Sequence, residues 1–188
     1  MSRETAWIVR RTTINSERLP RFGELLELRT RCSGAAKSVA ERTTTISGDG
    51  GAGVEAIAIW VHLDPRLRRP SRLPEEFIAV YGDSAAGRRP RSSLRHPPAP
   101  PAGAARHDWR FAGADIDYAG HVNNTMYWRP AEELFGLTSL ASSPTMIEAE
   151  YRGGIGAGPA LVYRAGGMLW VCDPDGAVAA TISVDQGD

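Results

Sequence analysis

Asp115, Asp117, His121, Asn123 and Asn124 fall within ten positions of the stretch FAGADIDYAGHVNNTMYW (111–128), and an aromatic, apolar segment follows at once. Carboxylate and imidazole groups at this spacing can activate water or attack a carbonyl directly. A helix beginning near Asn123 presents unpaired backbone N–H groups carrying about half a unit of effective charge. Such a terminus polarises a carbonyl oxygen and stabilises the oxyanion formed on attack. Asn123 or Asn124 can orient water or substrate there, or cap the helix. Thioester hydrolysis suits the assembly, because a thiolate leaves with little acid assistance. Taken singly, each residue has a plainer role. Asp117 makes an Asx turn, His121 is a packing histidine, Asn124 a cap, and Asp115 a strand end facing solvent. The chemistry rests on the combination Asp-x-x-x-His-Val-Asn-Asn running into Tyr127 and Trp128. With one histidine and no second ligand cluster, a metal is not expected, and no organic cofactor is called for.

The elements that would position these groups follow from periodicity. Tyr127, Ala131, Leu134 and Phe135 recur at i, i+4, i+7 and i+8, which predicts an amphipathic helix starting at Asn123 or Asn124, with Glu132 and Glu133 on its polar side. Pro130 removes one helical donor and should bend or loosen the first turns. HDWRFAGADID (107–117) reads as a strand before the helix, and PTMIEAEYR, PALVYRAGG, MLWVCD and AVAATISVD as strands after it. That order predicts an α+β hotdog for 106–188, an antiparallel sheet wrapped around one long helix.

Residues 1–83 carry the strands AWIVRRTTI, ELLELRTRCS, SVAERTTTIS and VEAIAIWVHLD, but no strand and helix open the series. A weak internal repeat links DGGAGVEAIAIWVHLD (49–64) to DPDGAVAATISVD (173–185), each running from a Gly-rich acidic turn into an apolar strand. The expectation is a tandem hotdog whose first repeat lacks its opening strand and helix. Between the repeats, 84–105 holds Pro90, Pro97, Pro98, Pro100 and Pro101 and reads as a linker, partly in polyproline II. Its arginines, Arg88, Arg89, Arg91 and Arg95, are available to an acidic partner, though a solvated basic linker is the plainer reading.

Bulk composition narrows the function classes. Acidic and basic residues balance at 22 each, so no global field favours nucleic acid, and no helix-turn-helix segment suggests a transcriptional sensor. The apolar fraction of 42 % can build a core, which a disordered chain could not. MSRETAWIVRR has no apolar signal core, and Val54–Val61 is too short to span a bilayer, so a soluble cytoplasmic protein is expected. Cys32 and Cys172 have no companions at metal-ligand spacing and read as buried free thiols. Lys37 is the only lysine among the basic residues, a bias that suggests a GC-rich, bacterial genome.

DIDYAGHVNNTMYW (115–128) resembles the D-x-D-x-N-G/Q-H-V-N-N-x-x-Y segment that opens the second repeat of acyl-acyl carrier protein (acyl-ACP) thioesterases. RLPRFGELLELRTRC (18–32) and IWVHLDPRLRRPSRLPEEF (59–77) are similar to two first-repeat segments of the same plant and bacterial family. The resemblance runs along about the whole chain. It implies a tandem hotdog that releases fatty acids from acyl-ACP, or from acyl-CoA as a second substrate, in fatty acid biosynthesis. It implies Asp117 and His121 as catalytic groups and Asn123, Asn124 and Tyr127 as substrate-binding, without cofactor or metal. ACP is the implied partner, and oligomeric state is left open. In the family an asparagine and a glutamate complete the network, but Ala119 and Gly154 stand at those positions. Glu148 and Glu150 are the nearby carboxylates that would substitute by strand alternation. Family members also carry a strand and helix before the counterpart of AWIVRR, so the chain reads as N-terminally truncated. The alternative is a catalytically impaired acyl-binding or structural hotdog, or a remnant. A hotdog hydratase is disfavoured, since its pattern needs a proline before the histidine, where Ala119-Gly120 stand.

Overall fold

The computed structural model describes residues 6–64, 66–67, 69–136 and 144–186. The chain divides into two compact units, Met1–Leu94 and Arg95–Asp188, so the division falls inside the expected linker.

In the first unit the β-branched and aromatic runs form β1 (Ala6–Arg18), β2 (Leu26–Ala36), β3 (Val39–Gly48) and β4 (Gly53–Asp64), antiparallel in the order β2-β3-β4-β1. A two-residue β5 (Arg69–Pro70) pairs with β4. The β3–β4 turn closes with Gly48 N–H on Ala52 O at 2.9 Å, and Gly51 supplies a φ of 92° that a side chain would strain. Val39, Ile59 and Val61 form a small core on one face of this sheet. The 88–93 stretch of the linker touches that face at two points, Arg88 bonding Glu41 at 3.0 Å and Arg11 donating to Ser93 O at 2.9 Å, while Arg88, Arg89 and Arg91 stay exposed. On the opposite face Trp7 packs against His62 and Phe77, with ring centroids 5.0 and 5.2 Å apart. Phe77 belongs to α1 (Glu75–Tyr81), a short helix not anticipated from sequence, with Pro74 before it and Glu75 and Glu76 in its first turn.

The second unit holds β6 (Ala105–Phe111), a helix of 13 residues here called α2 (124–136), then β7 (Thr145–Tyr151), β8 (Gly158–Ala165), β9 (Met168–Cys172) and β10 (Val178–Gln186). Its strands run in the order β7-β10-β9-β8-β6, all antiparallel. Four of them repeat the first unit's order, β7 for β1, β10 for β4, β9 for β3 and β8 for β2. Among the described residues, β6 and α2 have no counterpart in the first unit. The tandem hotdog with an incomplete first repeat is therefore the observed architecture.

α2 is irregular, as Pro130 predicts. A 3-10 segment Asn124–Trp128 passes through an α turn, Arg129–Ala131, into a π segment, Glu132–Gly136. Pro130 lacks the N–H that a regular ladder needs at this point. The helix is held by its aromatic face: Tyr127 meets Phe111 at 5.6 Å and Tyr151 at 6.1 Å, and Trp128 Nε1 donates to Tyr151 Oη at 3.1 Å. Both cysteines are free and buried. Among the described residues no helix is long and apolar enough to cross a membrane.

Candidate active site

The segment between β6 and α2 is a small hairpin. Ile116 pairs with Val122, Asp117 N–H donates to His121 O at 2.9 Å, and Gly120, at φ 78°, donates to Asp117 O at 3.0 Å. Val122 N–H reaches Ile155 O at 2.8 Å, which ties the hairpin to the chain leaving β7.

Asp115 anchors the base. It is buried at 6 % exposure, which corrects the expectation of a solvent-facing strand end. Its carboxylate accepts from Ala112 N–H at 2.7 Å and from Arg129 Nη1 at 3.2 Å, while its backbone oxygen accepts Asn123 N–H at 2.8 Å. A buried carboxylate needs such donors to remain charged. The sequence signal was available in retrospect, since an acidic residue three positions after Ala112 is half of a capping box.

Asp117 is half-buried at the hairpin's turn, and its Oδ1 accepts Ala119 N–H at 2.8 Å in an Asx turn. His121 is exposed, and its ring lies over Gly154: a Cβ built on that glycine would fall 2.5 Å from His121 Cγ. Among the described residues, the hairpin joins Asp117 to His121 through backbone only. Asn123 caps α2, its Oδ1 accepting from Thr125 N–H at 2.9 Å and from Thr125 Oγ1 at 2.8 Å. That cap uses one of the helix N-terminal donors, and Met126 N–H goes to Asn123 O. Asn124 is the first residue of the helix and half-buried.

Tyr127 is a core residue, 1 % exposed, and its hydroxyl accepts Ile155 N–H at 3.3 Å. Burial pushes this hydroxyl above its ordinary pKa; the Ile155 N–H opposes the shift, and the charge of Asp117 adds to it. Asp117 therefore acts electrostatically on the same hydroxyl that holds Ile155. The structure thus gathers Asp117, His121, Asn123, Asn124 and Tyr127 around the start of α2.

Glu148 and Glu150 do not fill the vacancy at 154. On the opposite face of β7, both carboxylates gather around His96: Glu148 Oε1 lies 3.5 Å from Nε2, and Glu150 accepts Arg95 N–H at 2.6 Å and His96 N–H at 3.1 Å. The His96 ring also bonds Thr181 Oγ1 at 2.9 Å and Ser183 Oγ at 3.2 Å. Arg152 Nη2 donates to His96 O at 2.6 Å, and Trp170 Nε1 donates to Pro97 O at 3.0 Å. The donor atoms of His96, Glu148 and Glu150 lie within 4.8 Å of one another, and Glu150 accepts three N–H donors, from Arg95, His96 and Arg152. The cluster fastens residues 95–97 to this sheet, which sequence reading treated as solvated linker.

An apolar cavity of about 430 Å³ lies in the first unit, lined by Trp7, Cys32, Ala40, Trp60, Phe77 and Tyr81 among others. Arg42 stacks over the Trp60 ring at 5.5 Å.

Residues 1–81 match the family described as acyl-ACP thioesterase N-terminal domain. An uncharacterized protein of Mycobacterium tuberculosis is 26 % identical over 161 residues, covering 84 % of this chain and 63 % of the relative. The chain thus spans somewhat less than two thirds of that relative's length. The chloroplastic acyl-[acyl-carrier-protein] hydrolase FATB3 of Cuphea viscosissima is 26 % identical over 131 residues, 66 % of this chain and 32 % of the plant protein. Among solved structures, the 12:0-ACP thioesterase of Umbellularia californica superposes with a TM-score of 0.76 at 20 % identity, over 98 % of this chain and 77 % of that one. An acyl-ACP thioesterase of Bacteroides thetaiotaomicron gives 0.76 at 17 % identity, over 96 % and 76 %. The match of residues 1–81 to the acyl-ACP thioesterase N-terminal domain, and the two-hotdog fold shared with these solved structures, are what the chain has in common with that family.

Proposed function

We propose that the protein hydrolyses fatty acyl thioesters carried on ACP, with acyl-CoA as a second substrate, and serves fatty acid biosynthesis in the cytoplasm. The observation that supports this reading is the hairpin 115–123 leading into α2, whose Asp117 acts electrostatically on the Tyr127 hydroxyl of that helix. In the proposed reaction Asp117 takes a proton from water as the water oxygen bonds to the thioester carbon, or it attacks that carbon itself and forms an acyl anhydride that water then hydrolyses. His121, which among the described residues has no side-chain bond to Asp117, orients the water or protonates the departing thiolate sulfur with a proton of its own, replaced from solvent. As the C–S bond breaks, the products are a fatty acid and a free thiol. Backbone N–H groups at the head of α2 polarise the carbonyl, and Asn124 orients the thioester. No step needs a cofactor or metal. The acyl chain runs between α2 and the sheet of the second unit, past Tyr127 and apolar strand residues.

A specific observation supports the second reading, an acyl-binding hotdog with impaired turnover. Ala119 brings no side-chain polar group to Asp117, and the His121 ring fills the space beside Gly154.

Thiol release from a panel of acyl-ACPs by the purified chain, beside Asp117→Ala, separates the readings. Release by the parent alone supports hydrolysis by Asp117. Acyl-ACP binding without release from a folded parent supports the second reading, and equal release from both removes Asp117 from the mechanism.

A further inference from the structure

We infer that Trp109 selects acyl chains carrying a mid-chain oxygen, a hydroxyl or oxo group, by donating its indole N–H to that oxygen. The inference rests on the proposed path of the acyl chain between α2 and the sheet of the second unit. Among the described residues three buried side-chain polar atoms have no hydrogen-bond partner: His62 Nε2, Arg152 Nε and Trp109 Nε1. His62 lies in the first unit, and Arg152 belongs to the cluster around His96. Trp109 belongs to the side of the second sheet that faces α2.

Strand register places it there. Side chains alternate along β6, so His107, Trp109 and Phe111 share a face. Phe111 meets Tyr127 in the first turn of α2 with ring centroids 5.6 Å apart, so this is the face that α2 covers. Trp109 extends the aromatic row: its ring stands edge-on to Phe111 at 6.4 Å, and Tyr151 continues the row beyond Tyr127 at 6.1 Å. Across the ladder Trp109 faces Ala160 of β8, a small buried residue. At the other end of β6, Ala105 pairs with Arg164, whose Nη1 donates to Leu134 O at 2.7 Å near the tail of α2. β6 and α2 therefore run in opposite directions, and Trp109 lies between the head of the helix and its tail.

That position says where on the substrate the oxygen must be. In the proposed reaction the thioester sits at the head of α2, near the level of Phe111 and Tyr127. Trp109 is two residues back along β6, about 7 Å deeper. An acyl chain covers that distance in several carbons, so the partner is a mid-chain oxygen and not one on the carbon β to the thioester. A buried indole N–H carries its desolvation cost whether the site is empty or holds a hydrocarbon chain. Indole nitrogen only donates, so hydroxyl and oxo oxygens both serve as its acceptor. A site with such a donor rejects the ligand that lacks the matching oxygen.

The test compares acyl-ACPs of one chain length, unsubstituted, β-hydroxy, mid-chain hydroxy and mid-chain oxo, with the full chain and with Trp109→Phe. Affinity is measured on hydrolysis-resistant amide analogues and turnover by thiol release. Selective binding without turnover would remove the hydrolase reading and leave this inference standing. The parent should bind the two mid-chain oxygenated analogues about tenfold or more tighter than the unsubstituted one. Trp109→Phe keeps a ring and deletes the donor, so the ratio should fall to near one. In proton–nitrogen correlation spectra of the parent, the Trp109 indole peak should shift with the mid-chain hydroxy analogue and much less with the unsubstituted one. That readout is independent of how the variant folds. Equal affinities, a preference that survives Trp109→Phe, a preference for the β-hydroxy chain, or an unmoved indole peak overturns the inference. Failure of every chain to bind overturns it together with the acyl path on which it rests.

Discussion

The imidazole of His121 occupies the place a side chain at Gly154 would take, because a Cβ there would lie 2.5 Å from His121 Cγ and 2.6 Å from Cδ2. Gly154→Ala should displace the ring and, because His121 Cβ would itself lie 2.9 Å from the new Cβ, shift the hairpin backbone as well, at a cost of about 1–3 kcal/mol. Changes in the His121 ring resonances in NMR spectra would register the displacement; an unmoved ring would contradict the geometry. Ala119→Asn supplies, without crowding His121, one of the two polar groups that the family pattern has and this chain lacks. Thiol release by this variant should exceed the parent's by about tenfold, equivalent to about 1.4 kcal/mol of barrier.

Asp115 governs whether the hairpin keeps its shape. Asp115→Ala strands the Ala112 N–H and removes the Arg129 contact, so a loss of about 1–3 kcal/mol is expected in urea unfolding. Asp115→Asn keeps an oxygen for Ala112 and should lose less. Equal losses would show that the charge, and not the N–H acceptor, is what the turn requires.

Glu150 is fully buried and bonded to two backbone N–H groups and Arg152. Glu150→Ala leaves those donors without their acceptor and should cost about 3–5 kcal/mol, comparable to breaking a buried ion pair. Faster proteolysis at 95–98 in the variant would show that the cluster fastens the linker to the second sheet. An unchanged cleavage pattern would assign the loss to the sheet alone.

Glu24 makes stability depend on pH. The N–H of Arg21 and the Arg18 guanidinium, 2.6 Å away, hold its carboxyl down to about 2, helped by Ala52 N–H and opposed by burial. The unfolded chain takes up this proton near the ordinary value of 4.5, while the native state resists until about 2. The contribution is therefore complete above pH 4.5 and is lost as pH falls from there towards 2. Urea midpoints should drop across that window more steeply for the parent than for Glu24→Gln; parallel curves would remove Glu24 from the acid response.

Much of this protein is set by local sequence. Alternating β-branched runs specify β1 to β4 and β7 to β10, the Tyr127–Phe135 periodicity specifies α2, and Pro130 specifies its irregularity, since each depends on backbone preferences within a few residues. The Asp117–His121–Asn123 spacing likewise identifies the hairpin before α2, because Asx turns and caps are short-range devices. Tertiary structure decided what lies across the chain from those residues. Asp115 is buried because Arg129 and Ala112 N–H close over it, and His121 rests on Gly154 because Val122 is bonded to Ile155. Glu148 and Glu150 face His96 because the pleat of β7 points them away from α2, and the 84–105 segment is fastened because both sheets offer it carboxylates. Proline and arginine content suggested a solvated linker, and its arginines are exposed; the points at which Glu41 and Glu150 hold it come from distant strands and are set by tertiary structure.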